Sequence, residues 1–244
     1  MDANNFIENI QFRFIKPFSS LKWFNRFKHR LAKIGINIEI LNTILPLDRI
    51  EARPHLKSLT KTVPKMSTFA NAAIIDKFVS LMPSGTSFVN VGVWHGFSFL
   101  AGIAANPERK CVAVDNFSQF GGPKTEFLAR FNKIKSPLHT FHEMDYEEYF
   151  ATKHDGPIGF YIYDGEHSYQ NQMRGLEVAE PFFAEGCVIM VDDTNDPEPR
   201  KATLDFIARN PKKYRLLFDF LTVSNGHPTF WNGVMTFERI QSKK

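Results

Sequence analysis

The sequence of 244 residues contains only two cysteines, Cys111 and Cys187, each at the start of an apolar run. Disulfide frameworks use more cysteines in smaller chains, so we expect both thiols to be buried in a reducing compartment. No apolar run approaches the roughly 20 residues that a membrane-spanning helix needs. The first residues, MDANNFIENI, also lack the basic and apolar regions of a signal peptide. These absences, together with the lack of any low-complexity tract, predict a globular cytoplasmic protein.

Charge is distributed unevenly along the chain. Residues 1–66 contain twelve Lys/Arg against five Asp/Glu, a balance of +7, whereas residues 67–244 contain 18 against 21, a balance of −3. We therefore divide the chain into a basic N-terminal extension (1–66) and a body (67–244). Within the extension, residues 19–34 predict a basic amphipathic helix. Such a helix either makes a peripheral membrane contact, through residues 12–34, or packs on the body or on a partner subunit of a homo-oligomer. We expect no nucleic-acid partner.

Strand-forming and helix-forming segments alternate through the body. The expected strands are 87–91, 110–114, 138–142, a strand from Phe160, 186–191, 214–223 and 233–239. This alternation predicts a parallel sheet with right-handed crossovers, and the last two strands predict an antiparallel edge pair. Residues 36–66, which contain three prolines, predict a connector that covers the body.

Polar residues follow five predicted strands in a row, at the point where each one ends. They are Asn90 and Gly92, Asp115, Asp145, Asp164, and the pair Asp192-Asp193. In open α/β sheets ligands bind at the carboxyl ends of the strands. If the strands that end at Asp164 and Asp192 are parallel neighbours, three carboxylates and the imidazole of His167 converge there.

The loop between Gly92 and Gly96 joins a strand to a helix, which is typical of a close backbone approach to a ligand or of a plain packing turn. Asp115, at the end of the next strand, can accept both hydroxyls of a ribose. The loop lacks the GxGxxG spacing that binds a pyrophosphate, so an adenosyl ligand without a pyrophosphate fits better. A nicotinamide-dependent oxidoreductase is one alternative function. A non-catalytic protein that docks on a membrane or a partner is another.

From residue 67 to residue 240 the chain resembles the class I S-adenosylmethionine-dependent methyltransferases, through the loop VNVGVWHGFS, the strand ending at Asp115 and the closing strand pair. The resemblance implies a Rossmann-like fold: seven strands, mostly parallel, with an antiparallel C-terminal edge pair and here an N-terminal helical extension. One departure is Asn90, where the family usually has an acidic residue. The implied contacts to S-adenosylmethionine are Asn90, Gly92, Gly96, Ser98, Asp115, Asn116, Asp145 and Asp164.

The motif DGEHSY (164–169) and the acidic pair after Val191 further resemble the Mg²⁺-dependent O-methyltransferases of macrolide sugars and, more distantly, catechol O-methyltransferase. This resemblance implies Mg²⁺ ligands at Asp164, Asp192 and Asp193, and a catalytic base at His167. Carboxylates without a nearby cysteine suit Mg²⁺, and an imidazole suits proton transfer near neutral pH. The alternatives are a solvated turn for the carboxylates and a capping or ligand-orienting role for His167. The expected reaction is O-methylation of a hydroxyl on a sugar or glycosylated small molecule.

Overall fold

The computed structural model describes residues 2–21 and 35–240. In these ranges the extension forms short helices and one two-stranded antiparallel ribbon: α1 (Ala3–Glu8), β1 (Gln11–Phe12), α2 (Ile38–Asn42), β2 (Thr43–Ile44) and α3 (Arg53–Thr62). Residues 22–34, which hold most of the predicted basic helix, lie outside the described residues, so the membrane contact stays a prediction. Residues 36–66 thus contain two helices, α2 and α3, between their connecting segments. Pro54 fits in α3 because it lies in the first turn of the helix, where no intrahelical N–H is needed.

The body begins with α4 (Phe69–Leu81), which Thr68 caps by accepting a hydrogen bond from the backbone N–H of Asn71. The extension packs directly on this helix. Arg49 makes a two-pronged ion pair with the buried Asp76, with both nitrogen–oxygen distances at 2.8 Å. Phe6 and Ile7 of α1 lie in the same apolar cluster as α4. The extension therefore shares its core with the body.

Seven strands form the central sheet. They are β3 (Ser87–Val91), β4 (Lys110–Val114), β5 (His139–His142), β6 (Ile158–Tyr163), β7 (Phe183–Asp192), β8 (Tyr214–Phe220) and β9 (Val234–Arg239). The strand order is β5-β4-β3-β6-β7-β9-β8, and β9 runs opposite to the other six strands, so that its pairs with β7 and β8 are antiparallel. The predicted seven-stranded, mostly parallel sheet with its antiparallel edge pair is confirmed.

Helices cover both faces of the sheet. After α4 they are α5 (Phe97–Ile103), α6 (Lys124–Ile134), α7 (Tyr146–Thr152), α8 (Tyr169–Ala179) and α9 (Pro197–Arg209). One apolar cluster contains the buried faces of α4, α5 and α6, and a second contains those of α7, α8 and α9. Helix α8 ends at Ala179, because Pro181 lies in a 3₁₀ turn and β7 starts at Phe183. Both cysteines are buried and unpaired, as predicted. In the described ranges no helix combines the length and apolarity needed to cross a membrane.

Strand register brings the predicted polar ends to one rim. Val91 pairs in register with both Val114 and Tyr163, and Tyr163 pairs with Val191. The residues that follow these strands therefore leave the sheet at the same level. The sheet order reverses between β3 and β6, and at such a switch point the neighbouring loops separate and leave a crevice.

Candidate active site

A cavity of about 370 Å³ opens at the carboxyl ends of β3, β4, β6 and β7. Its volume falls within the usual range for small-molecule sites. Most of the residues predicted from the sequence line it: Gly92, Ser98, Asp115, Asn116, Asp145, Asp164, His167, Asp192 and Asp193. One crevice thus contains both the predicted cofactor contacts and the predicted metal cluster.

Asn90 and Gly96, also predicted as cofactor contacts, are not part of the lining. Asn90 is fully buried, and its side-chain amide donates to the carbonyl of Gly92 at 3.1 Å. Gly96 has φ +94°, and a Cβ on it would lie 2.6 Å from the ring of Phe127. Both residues support the glycine loop from behind, so their link to a ligand is indirect.

Position 92 requires a glycine, for two reasons that the sequence did not show. Its φ is +74°, and a Cβ there would lie 1.9 Å from the carbonyl oxygen of Asp164. Only glycine allows the ends of β3 and β6 to approach this closely. The loop therefore brings its backbone next to the first residue of the acidic cluster.

Asp115 connects the loop after β3 with the loop after β4 by hydrogen bonds to the backbone of both. Its Oδ2 accepts hydrogen bonds from the backbone N–H of Val93 and of Trp94, at 2.7 and 2.9 Å. Its Oδ1 accepts one from Phe117 N–H at 2.6 Å. A carboxylate offers about four lone-pair positions, so at least one remains for a ligand.

The backbone around the cavity contains unusual conformations. Positive φ values at non-glycine residues occur in four of the lining residues: Trp94 (46°), Phe117 (51°), Phe120 (49°) and Asp193 (53°). Each such residue is strained by about 1–3 kcal/mol and persists only when its surroundings hold it. The Trp94 indole N–H donates to the Phe120 carbonyl at 3.1 Å, which fixes two of them together. Such strain is concentrated at functional sites, which supports the assignment of this cavity.

The acidic cluster differs in one respect from the predicted ligand set. The atoms that converge within 4.8 Å of one another belong to Asp164, His167 and Asp192. His167 Nε2 lies 3.6 Å from Asp164 Oδ1 and 3.3 Å from Asp193 Oδ2. Asp193, predicted as a metal ligand, is thus the immediate partner of the imidazole.

Burial is the main cause of the unusual electrostatics of this cluster. It raises the pKa of Asp192 well above the ordinary value, and the charges of Asp164 and Asp193 add to the effect. Burial also raises the pKa of Asp164 to about 6, although the nearby His167 opposes the shift. The pKa of Asp193 is raised by burial as well. In addition, Asp192 Oδ1 and Asp193 Oδ1 are buried without a hydrogen-bond partner. Buried carboxylate oxygens without donors are the chemistry that a hard divalent cation satisfies, so the residues present fit such an ion.

Other lining residues were not predicted from the sequence. Tyr146 and Asn171 follow predicted strand ends closely, and that proximity was a usable signal. Lys65, Met66 and Ser67 belong to or adjoin the extension, and no local pattern connects them with the strand ends. Only the packing of the extension on the body brings them there.

Comparison with known proteins gives the same fold. Residues 89–194 match the family described as "Methyltransferase domain". A sequence comparison with curated proteins finds no match. Among solved structures, an O-methyltransferase from Bacillus cereus in complex with SAH has a TM-score of 0.58 at 10% identity, covering 90% of this chain and 100% of that one. A putative O-methyltransferase from Klebsiella pneumoniae has a TM-score of 0.58 at 11% identity, covering 89% and 97%.

A third structure, a putative rRNA-methylase from Clostridium thermocellum, has a TM-score of 0.54 at 12% identity, covering 71% of this chain and 97% of that one. At such identities the likeness concerns the fold. Proteins named for different acceptors share it, so the acceptor must be argued from the site itself.

Proposed function

We propose that this chain is a class I S-adenosylmethionine-dependent methyltransferase, and that it methylates a hydroxyl oxygen of a sugar or glycosylated small molecule with the help of Mg²⁺. The observation that carries the proposal is the unpartnered buried oxygen Asp192 Oδ1, which lies in a cluster with Asp164 and His167. A metal-assisted methyl transfer to a hydroxyl needs such a cluster to bind the ion.

The cofactor would lie along the rim, across β3 and β4. The free lone-pair position of Asp115 suits a ribose hydroxyl, and Gly92 also lines this part of the cavity. Asn116 and Asp145 line the end of the cavity beyond β4, where an adenine would fit. Asp145 also accepts from Glu147 N–H at 2.8 Å and thereby caps α7, so one face of its carboxylate is already used.

Asp164 and Asp192 are the residues that would hold the metal ion. When bound, the ion would lower the pKa of a substrate hydroxyl and fix its orientation. The chain contributes the carboxylates, the burial that excludes water, and the alignment of the hydroxyl with the cofactor. Alignment matters most, because methyl transfer needs little from a protein beyond positioning.

His167 is the proposed proton acceptor. The substrate oxygen forms a bond to the methyl carbon as the carbon–sulfur bond breaks, the electron pair returns to sulfur, and the hydroxyl proton passes to His167 Nε2. Asp193 Oδ2, 3.3 Å away, can orient the ring and stabilise the imidazolium that forms. Asp193 thus changes from a predicted metal ligand to a proposed partner of the base.

The converging atoms at Asp164 and Asp192 include a nitrogen of His167, which favours a second arrangement in which the imidazole is a ligand. The affinity for Mg²⁺ distinguishes the arrangement in which His167 is the base from the one in which it is a metal ligand. If His167 is the base, the His167→Ala variant keeps the wild-type affinity for Mg²⁺, measured by calorimetry. A large loss of affinity would make His167 a ligand and leave Asp193 as the candidate base.

The function is tested with the full chain, S-adenosylmethionine carrying a labelled methyl group, and a panel of sugars and glycosides. We expect binding of S-adenosylhomocysteine, and transfer of label that stops in EDTA and resumes with Mg²⁺. Binding of NAD without S-adenosylhomocysteine would instead support the oxidoreductase alternative. Full turnover in EDTA would remove the metal from the proposal.

A further inference from the structure

Lys65 is the only lysine or arginine among the described residues that line the cavity. Six carboxylates line the same cavity: Asp115, Asp145, Asp164, Glu166, Asp192 and Asp193. Lys65 belongs to the extension, outside the matched residues 89–194. We propose that Lys65 binds the carboxylate of the methionine portion of the cofactor, so that the N-terminal extension completes the cofactor site. This inference rests on the S-adenosylmethionine dependence stated above, but not on the metal or on the acceptor.

The lysine ammonium is held in place by the extension and by the start of the body. Its Nζ donates to Glu39 Oε1 at 2.6 Å and to the Ser67 carbonyl at 3.1 Å. Glu39, on α2, is itself fixed because its Oε2 accepts from Phe69 N–H at 3.1 Å, in the first turn of α4. An ammonium has three N–H donors, so one remains for a ligand. The side chains of Lys65 and Glu39 are only 10% and 14% exposed, so solvent screens the interaction weakly.

The position of Lys65 suits the methionine end of the cofactor. Its Nζ lies 5.6 Å from the centroid of the Phe97 ring, and Phe97 is the first residue of the helix that follows the glycine loop. The ribose partner proposed above, Asp115, follows the neighbouring strand β4. Lys65 and Asp115 thus offer opposite charges to different parts of one ligand.

Charge balance gives the reason for a lysine here. S-adenosylmethionine carries a positive sulfonium, a positive ammonium and a negative carboxylate. The six cavity carboxylates can favour the two cationic groups, but they repel the third. A buried lysine–glutamate pair adds little to stability, because desolvation offsets its attraction. A role in ligand binding explains the pair better, because the fixed lysine can donate a charge-assisted hydrogen bond to the ligand carboxylate.

The test compares S-adenosylmethionine with decarboxylated S-adenosylmethionine, which lacks only the carboxylate. Affinities are measured by calorimetry in EDTA and without an acceptor, on the full chain. We expect Lys65→Met to weaken binding of S-adenosylmethionine by about tenfold or more, the scale of one hydrogen bond to a charged group. Binding of the decarboxylated compound should change less than about twofold, since its partner for Lys65 is missing. Lys65→Arg should restore part of the loss.

Lys61→Met is the matched control, because Lys61 is an exposed lysine of α3 that does not line the cavity. It should leave both affinities unchanged. Equal weakening of both compounds by Lys65→Met would mean that Lys65 only supports the fold, and would overturn the inference. Unchanged affinity for both would overturn it too, because the lysine would then not contact the cofactor. If the wild-type chain bound neither compound, the methyltransferase assignment itself would fail.

Discussion

The carboxylates at the rim of the sheet differ in whether their oxygens have hydrogen-bond donors. Asp115, after β4, accepts three backbone hydrogen bonds, and its oxygens are largely satisfied without any ligand. Asp192 and Asp193, at the end of β7, keep buried oxygens without partners, and burial raises the pKa of both. The first carboxylate belongs to the frame of the cavity. The second pair keeps one buried oxygen on each residue that no hydrogen-bond donor of the described chain satisfies.

The difference separates the roles of the two regions. A satisfied carboxylate stays in place and presents a defined edge to each incoming cofactor molecule. Unsatisfied carboxylates destabilise the empty protein, and a cation that binds them recovers that free energy. Variants of the two regions should therefore fail in different assays.

The largest effect is expected for Asp192→Ala. Loss of this proposed metal ligand should lower turnover by about 10³-fold or more, since a bound metal is worth several kcal/mol of transition-state stabilisation. Affinity for S-adenosylhomocysteine should stay close to that of the wild type, because the proposed cofactor contacts lie at other strand ends. Asp155→Ala, an exposed carboxylate paired with Lys110, is the control and should turn over normally. If Asp192→Ala lost cofactor affinity as strongly as turnover, the two groups of carboxylates would not have separate roles.

His167→Ala should slow methyl transfer by about 10²- to 10⁴-fold, the usual contribution of a positioned base. Single-turnover measurements at saturating cofactor and Mg²⁺ isolate that step. Asp193→Asn should slow the same step less, because the amide can still hold the ring but cannot balance its charge. Turnover of His167→Ala at the wild-type rate would assign the proton to water or to another side chain.

Asp115→Asn should weaken the binding of S-adenosylhomocysteine by about 1–3 kcal/mol, the range for leaving polar groups unpaired. An asparagine has one oxygen, so its NH₂ group must face the amide of Phe117 or those of Val93 and Trp94. Thermal shifts check the comparison directly. Asp115→Asn should keep the stabilisation by Mg²⁺ and lose that by S-adenosylhomocysteine, whereas Asp192→Asn should show the reverse. Loss of both shifts in either variant would contradict separate roles.

The smallest effect concerns stability without metal. The folded-state pKa of Asp192 is raised above its unfolded value, so the folded state binds more protons and loses stability as pH rises through that interval. Asp192→Asn removes this penalty. In EDTA at pH 7–8 we expect its melting temperature to exceed that of the wild type by a few degrees, about 1 kcal/mol. The gain should shrink as pH falls toward 4. A lower melting temperature at pH 7–8 would show that the carboxylate stabilises the empty site.

Several features of the site were predictable because they depend on short stretches of chain. The apolar run Phe160–Tyr163 followed by Asp164 predicted a buried strand with a carboxylate at its end, and β6 ends at Tyr163. The spacing of Gly92 predicted a close backbone approach, although not that the neighbour is the carbonyl of Asp164. Gly96 has the same residue type in the same loop, yet it packs on Phe127, because loop geometry rather than residue type decides which glycine faces the cavity.

The sequence by itself determined the order of strands and helices and the residues that end each strand. Hydrophobic periodicity and turn residues encode these within windows of a few residues. Only the tertiary structure decided that His167 lies between Asp164 and Asp193, and that Lys65 reaches the cavity from the extension. The His167–Asp193 contact and the approach of Lys65 to the cavity join residues far apart in the chain. They depend on strand register and on the packing of α2 and α3 against α4. No short stretch of sequence determines the strand register or the helix packing, because both depend on how the whole chain buries its apolar surface.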